Sequence, residues 1–75
     1  MRLLIMEDYF YLLEACVRCY NACKEDFEST VRMISEARGL DPEFTKRVLL
    51  SLKERYGSTE RYRRLRAQLP EEFPL

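Results

Sequence analysis

Between Met6 and Ala37 apolar side chains recur in alternating steps of three and four residues, a spacing that a helix gathers onto one side. With Met6 as heptad position a, the a series is Met6, Leu13, Tyr20, Phe27 and Ile34, and the d series is Tyr9, Cys16, Cys23, Thr30 and Ala37. Thr30 is the one clearly polar member, and its methyl can still pack. Positions b, c and f carry Glu7, Asp8, Glu14, Arg18, Asn21, Glu25, Glu28, Ser29, Arg32, Ser35 and Glu36, interrupted by Tyr11, Ala15 and Ala22, which is the pattern of a solvated face. Neither Gly nor Pro falls inside this stretch. The spacing predicts one long amphipathic helix over about 6–38. Its weakest part is Lys24 to Thr30, where polar residues crowd together, and a break near Ser29 is the alternative.

Beyond residue 38 local punctuation organises the chain. Gly39 suits the left-handed residue that ends a helix, with Leu40 folding back behind it. Asp41 is an N-cap and Pro42 stands at the first helical position, where its missing N–H is no loss. A second helix is expected over about 42–56, with Phe44, Val48, Leu49, Leu52 and Tyr56 inward and Gly57 closing it. Ser58 is the expected cap of a third helix over about 59–69, carrying Tyr62, Leu65 and Leu69 and stopping before Pro70. Phe73 is expected to tuck back onto the bundle. The fold class is therefore all-α, a single helical domain with a long N-terminal helix and two shorter ones.

A domain of 75 residues buries only about 60% of the surface its unfolded chain exposes. Stability at this size asks for support, and the apolar stripe of helix one exceeds what two short helices can cover. The expected answer is a homodimer, or a helical protein partner, joined along a coiled-coil seam of Met6, Tyr9, Leu13, Cys16, Tyr20, Cys23 and Phe27. Formal charge is zero, yet unevenly spread. Residues 1–40 hold five basic and seven acidic groups, and residues 42–69 hold eight basic and three acidic. An acidic first half beside a basic second half favours contact between the two, within one chain or head to tail.

The chemistry-bearing residues are few. Arg61, Arg63, Arg64 and Arg66 with Tyr62 interleaved could meet phosphates or an acidic partner, although Tyr62, Leu65 and Leu69 are needed for packing and zero net charge weakens phosphate affinity. Cys16, Cys19 and Cys23 fall along one helix side, a spacing distantly like that of cysteine-lined copper-storage bundles. Small buried hydrophobes at the seam explain them as well, and with no His and no fourth Cys a tetrahedral metal site is incomplete. Without His, a Gly-rich loop or a nucleophile motif, neither an enzyme nor a cofactor is expected.

The apolar run at Leu3–Met6 stops at Glu7 and Asp8, too short for a signal peptide, and no stretch reaches the ~20 residues of a membrane span. Three cysteines within eight residues make no disulfide framework. The expected location is the cytoplasm.

From Phe27 to Phe73 the chain resembles one repeat of a family of uncharacterised small helical bacterial domains. The likeness lies in Gly39-Leu40-Asp41 before a Val- and Leu-rich helix, in Leu52-Lys53-Glu54-Arg55-Tyr56, and in Ala67-Gln68-Leu69-Pro70-Glu71-Glu72-Phe73. The resemblance implies an all-helical fold and no assigned activity. The chain departs from the pattern in lacking a second repeat and in extending its first helix. The function expected is an interaction or oligomerisation module, with a nucleic-acid-binding regulator second and a cysteine-based metal or redox protein third.

Overall fold

The structure is a computed structural model that describes residues 4–75. Among these residues there are four helices and no strand: α1 (Met6–Cys23), α2 (Phe27–Arg38), α3 (Pro42–Tyr56) and α4 (Glu60–Arg66). The part of the opening apolar run that precedes Leu4 lies outside the described residues.

The single helix expected over 6–38 is two helices. Lys24 takes the left-handed conformation (φ 55°, ψ 37°) and its N–H donates to the Tyr20 carbonyl at 2.7 Å, which ends α1. Asp26 then caps α2 by accepting from the Ser29 N–H at 2.8 Å. That hydrogen bond to the ionised form holds the Asp26 carboxyl below its usual range. The break lies at 24–26, within the polar stretch expected to be weakest and a few residues before Ser29. It lets Phe27, Val31 and Ile34 turn back onto the chain's own core. An unbroken rod would have left them waiting for a second molecule.

The same opening recurs at α3. Asp41 accepts from the Phe44 N–H at 3.1 Å, and Pro42 takes the first turn as expected. Two threonines complete the parallel, since Thr30 and Thr45 are fully buried and donate to the cap carbonyls of Asp26 at 2.8 Å and Asp41 at 3.2 Å. Gly39 is left-handed (φ 66°), and Leu40 N–H reaches the Ser35 carbonyl at 2.9 Å. At Gly57 the backbone is right-handed, and glycine is required there for room, because a Cβ would collide with the Lys53 carbonyl. The cap of α4 is Thr59, not Ser58: Tyr62 N–H donates to Thr59 Oγ1 at 3.2 Å. The third expected helix, 59–69, shortens to Glu60–Arg66, and 67–75 continues as turns.

Helix α1 packs against each of the other three, and α3 packs against α2 and α4. With neighbours on so many sides, α1 buries Tyr9, Phe10, Leu12, Leu13, Ala15, Cys16 and Val17, well beyond one narrow stripe. Its partners contribute Val31, Ile34, Val48, Leu49, Leu52 and Tyr62. Two side chains exchange the places expected of them. Ser35 is buried instead of outward, and Phe44 is 36% exposed, Thr45 taking the inward position on α3.

The segment 67–75 closes the core. Phe73 is buried and meets Tyr20 and Phe27 edge-on, with ring centroids 5.3 and 5.5 Å away. Leu69 and Leu75 are buried beside it. Arg66 holds this segment with its whole guanidinium. Nε donates to the Leu75 carbonyl at 2.9 Å, Nη1 to Leu69 at 3.2 Å, and Nη2 to Glu71 at 3.2 Å and Phe73 at 2.9 Å.

Ser35 Oγ and Tyr62 Oη are buried without a hydrogen-bond partner among the described residues. An unpaired buried hydroxyl costs about 1–3 kcal/mol, so Ser35→Ala is expected to raise the unfolding free energy by roughly 1 kcal/mol in urea denaturation. A loss of stability instead would mean that the hydroxyl is satisfied in solution.

Candidate interaction surface

The seam expected between chains comprises seven residues. Tyr9, Leu13, Cys16 and Phe27 are buried within the single chain, Leu13 and Cys16 completely. Tyr20 is half-buried against Phe73 and beneath the Lys24 ammonium, whereas Met6 and Cys23 are exposed. A continuous seam is lost where α1 ends, and the bundle fills most of it.

The arginines of α4 also have partners of their own. Arg61 reaches α1, donating to Glu7 at 2.8 Å and Glu14 at 3.4 Å with its guanidinium over the Phe10 ring at 4.5 Å. Those carboxylates hold its proton more firmly than usual, the hydrogen bond to Glu7 first among the causes. Arg66 is occupied by the carbonyls of 67–75. Arg63 donates to the Ser58 carbonyl at 2.8 Å, and Arg64 lies 3.7 Å from Glu60; both are exposed. The four do not form one basic strip facing outward. With Lys46 on Glu28 at 2.6 Å, Arg61 instead joins the acidic first half to the basic second half inside one molecule.

Cys16 is buried, Cys19 half-buried and Cys23 exposed, and all three are free thiols. Burial pushes the Cys16 thiol up to about 12. Burial, and then the neighbouring Cys23, raise Cys19 as well. Among the described residues no three His, Cys, Asp or Glu side chains are gathered as metal ligands. A disulfide-exchange reagent near pH 8 is expected to label Cys23 first, Cys19 more slowly, and Cys16 only on unfolding. Mass spectrometry of partly labelled protein reads that order, and early labelling of Cys16 would contradict its burial.

The bundle also leaves large apolar side chains uncovered. Leu4, Ile5, Met6, Tyr11 and Phe44 are exposed large hydrophobics, Ile5 by 56% and Tyr11 by 51%. Leu4, Tyr11 and Phe44 line two adjoining grooves. One, of about 370 Å³, is lined by Leu4, Asp8, Tyr11, Leu12, Arg38, Leu40 and Phe44. The other, of about 310 Å³, shares Leu4 and Phe44 and adds Tyr9, Arg47, Val48, Ser51 and Arg55. Local chemistry fixes the rims. Asp8 accepts from the Ile5 N–H at 2.8 Å at the start of α1, and Arg38 donates to Tyr11 Oη at 3.2 Å with its guanidinium 5.1 Å from that ring. Arg55 lies over Tyr9 at 5.3 Å. The surface is thus an apolar strip edged by Asp8 and Arg38 along one groove and by Arg47 and Arg55 along the other. Periodicity assigns Phe44 to the core and makes Tyr11 an exception on a solvated face, and so misses the surface they share. The spacing of Tyr11 outside both heptad series was the available signal.

No helix among the described residues is long and apolar enough to cross a membrane. Compared with known proteins, the chain matches no family model, no curated protein and no solved structure.

Proposed function

We propose that this chain is a small non-enzymatic interaction module that pairs with a second copy of itself through the surface around Leu4, Tyr11 and Phe44. The observation that carries the reading is the contiguity of large exposed hydrophobics along two grooves in a chain whose other apolar side chains are mostly sheltered. Leu4 and Phe44 line both grooves, so the apolar patch is continuous, and a two-fold axis can bury it against its own copy. The three free thiols suit a reducing compartment, and the cytoplasm is the proposed location. Contact with nucleic acid draws less support, since Arg61 and Arg66 are engaged within the fold.

Sedimentation equilibrium tests the pairing. The parent chain, 9.1 kDa as a monomer, is expected to approach twice that mass as its concentration rises. Phe44→Glu places a charge in the middle of the strip and suits the first turn of α3, so it is expected to weaken pairing at least about tenfold while leaving the fold intact. A monomer at every concentration overturns the proposal.

A further inference from the structure

A third groove, of about 490 Å³, lies at the α1–α2 corner and shares no lining residue with the two grooves around Leu4 and Phe44. One wall is the half-exposed ring of Tyr20, with the buried Phe27 and Phe73 behind it, and the rim is acidic, from Glu25, Asp26, Glu28 and Glu72. Two of these carboxylates are already committed, Asp26 to the cap of α2 and Glu28 to Lys46. Glu25 and Glu72 are exposed and have no ion pair among the described residues. The only basic residue lining the groove is Lys24, whose ammonium lies over the Tyr20 ring, 5.0 Å from its centroid. Aromatic faces beside carboxylates favour a cation, because the ring quadrupole and the formal charges attract it together. Lys24 shows that an ammonium fits there. It is exposed at the end of α1.

We infer that this groove takes the cationic side chain, lysine or arginine, of a partner polypeptide, which enters by displacing the Lys24 ammonium from the Tyr20 ring. Charge complementarity selects the occupant. A polypeptide is favoured over a free small cation because one exposed cation–aromatic contact strengthens binding only about two- to five-fold, so useful affinity needs further contacts along a chain. The site is separate from the self-association surface and does not depend on it.

The test is a chemical-shift titration of the full ¹⁵N-labelled chain with a blocked pentapeptide bearing a central arginine among glycine and serine, carried to tens of millimolar because a single arginine supplies only part of a partner's contacts. The control peptide has glutamine in place of the arginine. The arginine peptide is expected to move the amides of Glu25 to Glu28 and Glu71 to Phe73 and the Tyr20 ring protons, with the glutamine peptide moving them little. Lys24→Gln, which removes the internal competitor, is expected to tighten binding about two- to five-fold, and Glu72→Gln, at an exposed position, to loosen it by a similar factor. Equal responses to both peptides, no response at the Tyr20 ring, or midpoints unmoved by both substitutions would overturn the inference.

Discussion

Arg66→Gln is expected to lower the unfolding free energy by about 3 kcal/mol, a fall in melting midpoint of roughly 15 °C for a domain of this size. The parent guanidinium donates to four carbonyls, those of Leu69, Glu71, Phe73 and Leu75. Hydrogen bonds from a charged donor contribute about 1.5–3 kcal/mol each when separable, and these four are not, since all hold one short segment. Glutamine offers two N–H donors on a shorter arm and leaves carbonyls orphaned beside the core. The segment also carries Phe73 and Leu75, both buried, so its release uncovers Tyr20 and Phe27. Phe73→Ala is expected to cost a comparable ~3 kcal/mol by removing the two edge-on ring contacts. The double variant should then lose clearly less than the sum, because either change alone frees the same segment. Urea denaturation of the four proteins reads this. A loss below about 0.5 kcal/mol for Arg66→Gln would mean that apolar packing alone holds 67–75 in place.

Above pH 9 the protein is expected to lose stability by up to about 1.4 kcal/mol per pH unit through Cys16 alone. Its thiol titrates from an ordinary value of 9.0 in the unfolded chain and from about 12 in the fold, where burial disfavours the thiolate. Between those values the unfolded chain releases a proton that the folded chain keeps, so rising pH favours unfolding. Below pH 9 both states hold the proton and the slope vanishes. Cys19 and Tyr62, each raised chiefly by burial, act in the same direction, so the measurement is a comparison. The unfolding free energy of Cys16→Ala is followed beside the parent from pH 8 to pH 11. The variant starts lower, by about 1 kcal/mol for the lost sulfur, and is expected to fall less steeply. Parallel curves would show that the Cys16 environment does not resist ionisation.

The boundaries of α3 were legible because its signals are local. Gly39, Asp41, Pro42 and Gly57 act through backbone geometry within a few residues of where they stand. The α1–α2 corner was legible only as a weak polar stretch at Lys24 to Thr30, for a physical reason. A helix that folds back still needs its apolar side chains at the same spacing, so periodicity is unchanged whether the rod is straight or broken. The left-handed residue at the break is a lysine, which gives no warning. A clue did exist, since Asp-x-Glu-x-Thr occurs at 26–30 as well as at 41–45, and in both places Asp caps and Thr bonds back to the cap carbonyl. The role of Arg66 could not be seen among neighbouring arginines, because it depends on the path that 67–75 takes past α4. Heptad spacing put the apolar surplus on Leu13 and Cys16, which the broken helix covers, whereas Tyr11 and Phe44 are the side chains it leaves bare.

Amide hydrogen exchange at two concentrations, one below and one above the range over which the proposed pairing would develop, separates a core closed within the chain from one that a second chain must complete. The amides of Leu13, Cys16, Val17, Leu49 and Leu52 are expected to be protected equally at both, with added protection in the dimer confined to the neighbourhood of Leu4, Tyr11 and Phe44. Core amides that exchange freely in dilute protein and become protected only on association would contradict a core closed within one chain.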